Sequence, residues 1–198
     1  MSGYTMTQPE LYYSYSAAGT SLNTFTSEAS IMGNYIIPLI PATFFDKVGN
    51  LSSAMKVRAY GNISSTGTPT FSVTARLVTS ATTWTNSGLL LGTTTALTTQ
   101  SAVSSGWWCL DFDVILRSIA AGGATSSIAT YGTFSGSAFS SATSGPVGSM
   151  PATGTTAPNA TFDNTGATSY WLWLSSTCSA SSSSNAIILQ ALKIYLEN

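Results

Sequence analysis

Apolar and polar positions alternate with period two along much of this chain, the pattern of strands that turn one face to a core and the other to solvent. From Ser53, Met55, Val57 and Ala59 alternate with Lys56, Arg58 and Tyr60, and Gly61-Asn62 follows, which reads as a strand running into a turn. Ser64 to Thr68 then joins it to Pro69–Thr79, where Phe71, Val73, Ala75 and Leu77 share one face and Ser72, Thr74 and Arg76 the other. The clearest segment is Trp107–Ile119. Trp108, Leu110, Phe112, Val114 and Leu116 form an apolar face that must be core, opposite Cys109, Asp111, Asp113 and Arg117.

Gly122-Gly123 predicts a turn and Ser127–Ala138 a further strand, after which Ser140–Gly166, rich in Gly, Pro, Ser, Thr and Ala, predicts a long surface loop. Two strong strands close the chain, Ser169–Thr177 and Ala186–Glu197. Both are apolar on each face: Tyr170, Leu172 and Leu174 stand opposite Trp171 and Trp173, which suits a core on one side and a neighbouring element or subunit on the other. Ile36–Phe45 is another apolar run, and its Pro38 and Pro41 suit an edge or a bend. Counting Leu11–Ser16, eight or nine short strands and no amphipathic helix predict an all-β protein. The expected fold is a single antiparallel β-sandwich, a jelly roll of about eight strands over residues 14–198, preceded by an N-terminal arm, 1–13.

Composition narrows what such a sandwich can do. About one third of the residues are Ser or Thr, only 7% are charged, and histidine is absent. A 20.5 kDa chain buries roughly 70% of its unfolded surface, enough for a core without staples. Net charge is −1 with no Lys/Arg cluster, a field too weak to steer a polyanion, so nucleic acid is not an expected partner. A mean hydropathy of +0.23 with so few charges leaves little to hold copies apart, which predicts self-association. Met1–Tyr13 has neither a basic start nor an apolar stretch, and Asn185–Leu196 is too short and too interrupted to cross a bilayer. Cytoplasmic synthesis without a membrane partner is therefore expected. The period-two faces turn Cys109 outward and Cys178 inward, which predicts free thiols.

The missing histidine excludes a Ser-His-Asp triad, a Cys-His pair and a histidine-ligated zinc site within one chain. A Ser-Lys dyad would have to use Lys47, Lys56 or Lys193, and nothing in their spacing singles out a serine. Asp111 and Asp113 project from one strand face at roughly 6.5 to 7 Å, within the range of glycosidase carboxylate pairs. No polar sugar-binding cluster accompanies them, so the outward face of a core strand, with Arg117 offsetting charge, is the stronger reading. A calcium site on Asp111, Asp113 or Asp163 lacks an Asp-rich loop. Trp84, Trp107, Trp171 and Trp173 could stack on sugars, but burial in the core or at subunit contacts is the favoured account. No enzyme, cofactor or metal is expected. Asn50, Asn62 and Asn159 open glycosylation-like triplets that read as ordinary turns.

Lys56-Val-Arg-Ala-Tyr-Gly61, Thr70-Phe-Ser-Val-Thr-Ala-Arg-Leu77, Trp107 through Ile119 and Thr130-Tyr-Gly-Thr-Phe134 together resemble the jelly-roll virion proteins of tailed bacteriophages. Thr161–Thr165, the strand through Trp173, the small-residue turn Ser179–Asn185 and the final Ile187–Leu192 strand resemble the close of the same proteins. The resemblance runs from about Met55 to the C-terminus. It implies a non-enzymatic structural protein, commonly a homotrimer, located in the virion. Such a protein decorates the head as a cement or short fibre by binding the major capsid protein lattice, or else belongs to the tail. Tyr12 and Tyr13 in the arm and Trp171 and Trp173 on the penultimate strand are the expected subunit or capsid contacts. The alternative is a tail-tip or tail-fibre domain that recognises a host-surface glycan through the loop Ser140–Gly166.

Overall fold

The computed structural model describes residues 10–17, 19–33, 35–40, 54–118, 126–140, 147–152, 160–162 and 168–197. Among them the chain forms strands and no helix: β1 (Glu10–Ser16), β2 (Leu22–Asn23), β3 (Ala29–Ser30), β4 (Leu39–Ile40), β5 (Ala54–Thr66), β6 (Thr70–Val78), β7 (Leu89–Thr93), β8 (Leu97–Thr98), β9 (Ala102–Ser118), β10 (Ser126–Gly136), β11 (Val147–Met150), β12 (Ala160–Phe162), β13 (Tyr170–Cys178) and β14 (Ala186–Glu197). An eight-stranded sheet runs β1-β14-β5-β9-β10-β11, with β2 beside β14 and β12 beside β10. A six-stranded sheet runs β3-β13-β6-β7, with β4 beside β13 and β8 beside β6. The pairings are antiparallel. Strands distant in sequence become neighbours, and the chain passes from sheet to sheet between β2 and β3, β4 and β5, β5 and β6, β8 and β9, β12 and β13, and β13 and β14, consistent with a jelly-roll-like sandwich.

The expected alternation sets the core. Met55, Val57, Ala59 and Ile63 of β5, Trp108, Leu110, Phe112 and Val114 of β9, and Ile187, Leu189, Leu192 and Ile194 of β14 are buried. They form one cluster with Phe71, Val73, Ala75 and Leu77 of β6 and Leu172 and Leu174 of β13. Burial of these side chains supplies the main driving force, at roughly 1.5–3 kcal/mol for each large aliphatic or aromatic one. The side chain of Leu116 and the Gly122-Gly123 turn lie outside the described residues.

Three expectations change. Gly61-Asn62 is no turn, because β5 continues to Thr66 and the chain reverses at Gly67, whose φ of +72° is a left-handed conformation suited to glycine. Gly61 serves a close approach instead: a Cβ there would stand 1.8 Å from the Ile188 carbonyl oxygen and 2.8 Å from the Trp108 indole, which donates to that same carbonyl. The stretch Ser140–Gly166 also contains more than loop. Val147–Met150 and Ala160–Phe162 are short strands held by their ladders to β10, a source of order that small residues do not announce. Finally, Leu11, Tyr12 and Tyr13, assigned to the arm, lie in β1, which pairs with β14 from Glu10 onward; residues 1–9 are outside the described set.

The smaller sheet carries a nearly buried ion pair on its outer side. Arg76 on β6 donates from Nε and Nη2 to the two carboxylate oxygens of Glu28, each at 2.8 Å, and Ser175 Oγ donates to Oε1 at 2.6 Å. This pins the segment leading into β3 across β13 and β6. Burial alone would raise the Glu28 pKa, but the hydrogen bonds from Arg76 and Ser175, with the Arg76 charge, outweigh it and hold the carboxyl below its ordinary 4.5. A depressed folded-state pKa contributes stability above the ordinary value that is lost as pH falls through the depressed one. Thermal melts from pH 7 to 3 should therefore show a loss below about pH 4.5 that is smaller in Glu28→Gln. Arg76→Met should cost about 2 kcal/mol at neutral pH, since it leaves a nearly buried carboxylate without its cation.

Candidate interaction face

Among the described residues, the outer face of the eight-stranded sheet gathers most of the exposed large apolar side chains. Outward positions align in rows across the strands because the ladders fix their register. One row runs Ser16, Ala191, Tyr60, Cys109, Ser135, Val147; the next runs Ser14, Lys193, Arg58, Asp111, Thr133, Ser149; a third runs Leu11, Tyr195, Lys56, Asp113, Tyr131. Trp107 faces Asn62 in the row beyond Tyr60. Leu11, Trp107, Tyr131 and Val147 are each more than half exposed, and Tyr60 is 37% exposed. Isolated exposed apolar residues are normal on a monomer; their gathering on one face makes this the candidate interaction surface.

Charges occupy the centre of this face. Arg58 Nε donates to Asp111 Oδ2 at 2.8 Å, and Lys56 Nζ stands 3.8 Å from both Asp111 Oδ1 and Asp113 Oδ1. The cations offsetting the two carboxylates are thus Arg58 and Lys56 on β5, not Arg117 on their own strand. Cross-strand neighbours are closer than residues four positions along β9. The Asp111 charge holds the Arg58 guanidinium above its usual pKa, while burial, and then Asp111, pushes the Cys109 thiol up. Ion pairing of this kind fits an outward strand face. Asp113→Ala should change stability by no more than about 0.5 kcal/mol, because a half-exposed partner of Lys56 contributes little, and equilibrium denaturation would check this.

The expected contact residues are distributed differently. Trp173 is only 6% exposed, with its indole N–H donating to the Ser80 carbonyl at 2.9 Å, and Trp171 is half-buried against the core. Their own chain therefore covers much of the apolar surface that was expected to need a second subunit. Tyr12, 38% exposed, donates to the Leu39 carbonyl at 2.8 Å, and half-buried Tyr13 donates to the Ile36 carbonyl, so both tyrosines clamp residues 36–39 against β1. Trp84 is half-buried against the core as well. Of the sequence-predicted sugar-stacking aromatics, Trp107 alone offers an open ring, and the structure adds the exposed rings of Tyr60 and Tyr131. Both sit on the polar phase of their strands, the signal that marks them as outward, but their shared face requires the β5-β9-β10 order.

Cys109 and Cys178 are free thiols on opposite sides of their strands, half-exposed and buried respectively. Among the described residues no three metal-ligating side chains come together, while Lys47 and Asp163 lie outside that set. A separate open cleft of about 330 Å³ at the β6–β13 end of the smaller sheet is lined by Thr26, Thr70, Ser72, Ala96, Thr177, Cys178 and Ser179. It is mainly hydroxylic and holds no charged group.

No protein-family model matches this chain, and no curated protein is significantly similar to it. Among solved structures it is similar to the CBM2 module of the evolved Dit of Lactobacillus casei BL23 phage J-1, with 12% identity over 90% of this chain and 74% of that one, at a TM-score of 0.32.

Proposed function

We propose that this chain is a non-catalytic structural protein of a tailed-phage virion, a decoration or cement subunit that self-associates, commonly as a trimer, and binds the major capsid protein lattice. The observation that carries the reading is the concentration of exposed aromatic and aliphatic side chains on one sheet face of a chain with only 7% charged residues. Such a face loses free energy to water and regains it on burial. Most of the motifs that resemble phage virion proteins lie on β5, β6, β9, β10, β13 and β14, strands that build the core, and β5, β9, β10 and β14 also carry that face. Many symmetric contacts on a shell act at high effective concentration, so individually modest patches suffice for firm attachment. The ion-paired Asp111 and Asp113 support no hydrolytic role.

A tail-associated glycan-binding role is the second reading, favoured by the open Trp107 indole beside Asn62. Co-sedimentation of the purified chain with empty capsids lacking it separates the two. Saturable binding to capsids is the expected result; absence of capsid binding together with retention on host cell-wall glycan, lost in Trp107→Ala, would replace decoration by the tail reading.

A further inference from the structure

The outer face of the larger sheet is divided electrically as well as crowded with apolar groups. Lys193, Arg58 and Lys56 stand on β14 and β5; Asp111 and Asp113 stand on the adjoining β9, in the same rows as Arg58 and Lys56. In these two rows the β14–β5 side is therefore cationic and the β9 side anionic, while the exposed Arg117 stands farther along β9, outside them; Tyr195 flanks the row of Lys56 and Asp113 on one side and Tyr131 on the other.

This division is self-complementary. We propose that the face is covered by a second copy of this chain, the β14–β5 half of one subunit lying against the β9–β10 half of the next. A two-fold axis parallel to the strands between β5 and β9 satisfies the match reciprocally. It keeps each row in place while exchanging the halves, so Arg58 meets the next copy's Asp111, Lys56 its Asp113, Tyr195 its Tyr131 and Tyr60 its Cys109. Packed sheets sit about 10 Å apart with strands nearly aligned, a distance at which side chains of facing sheets interdigitate. Acidic or basic partners would meet like charge on one half of the face, whereas a second copy meets opposite charge on both. The proposal deepens the self-association in the preceding reading by giving it a surface.

Two charge-reversed variants test it: Lys56→Asp with Arg58→Asp, and Asp111→Lys with Asp113→Lys. Light scattering on the wild type is expected to give a multiple of the 20.5 kDa subunit mass. Each variant alone should give one subunit, and their equimolar mixture should regain the wild-type multiple. Cys109, in the middle of the face, supplies a readout on the unmodified protein. Its maleimide labelling should slow about tenfold on passing from dilute monomer to a concentration where nine-tenths of the chain is associated. Buried Cys178 reports any unfolding in the same experiment. A wild-type monomer at all concentrations overturns the proposal. A multimer whose Cys109 labels at the dilute rate, or whose mass both charge reversals leave unchanged, also overturns it, while leaving self-association through another surface intact.

Discussion

Phe112→Ala is expected to cost about 3–5 kcal/mol, whereas the neighbouring Asp113→Ala leaves the fold nearly as stable as before. Phe112 is 1% exposed, opposite Val57 on β5 and Gly132 on β10, and its truncation opens a cavity that the surrounding sheets cannot fully close. Gly132 sets the position: a Cβ there would lie 2.3 Å from the Phe112 Cβ, so the ring's neighbour has been reduced to backbone. Denaturant titrations of both variants check the register of β9. Equal tolerance of the two changes would contradict the register that turns Phe112 inward and Asp113 outward.

Gly61→Ala is expected to destabilise by about 3 kcal/mol or more, at the upper end of overpacking costs, although it adds a single methyl group. The obstruction is backbone and indole together. The Ile188 carbonyl accepts the Trp108 N–H at 3.2 Å directly over Gly61, and neither group moves without breaking that hydrogen bond or the β5–β14 ladder. Gly67→Ala meets no nearby atom and carries only the strain of a positive φ, a smaller effect of about 1 kcal/mol. Melting temperatures of the two variants, ranked with Gly61→Ala lower, separate close packing from turn geometry.

These two glycines show where the sequence is readable and where it is not. Long strands with strict alternation, such as β5, β6 and β9, announce their inward residues because side-chain parity is a local property. Gly61 reads as a turn because glycine followed by asparagine favours one, and the contact that demands glycine comes from Ile188 and Trp108, both remote in sequence. The same limit applies to Trp173. Parity places it opposite Leu172 and Leu174, yet the residue that satisfies its indole is Ser80, which no pattern around β13 reveals. Strands β11 and β12 are short and rich in small residues, so their order derives from β10 rather than from their own sequence. The candidate face was legible in parts, as Lys56, Arg58 and Tyr60 on one strand and Asp111 and Asp113 on another. Only the sheet order makes them one surface and identifies Arg58, rather than Arg117, as the partner of Asp111.

In the proposed reading that surface links fold to function. Its core side is built of residues that fix the sandwich, and its outer side combines exposed rings with ion-paired charge, which suits contact with protein surfaces more than chemistry on a small substrate. The most direct measurement is the protein content of particles purified on a density gradient from cells expressing the native gene, read by peptide mass spectrometry with antibody labelling in the electron microscope. The expected result is this chain in many copies on the particle, retained through washing and labelled over the head. Its absence from intact particles would contradict the virion assignment.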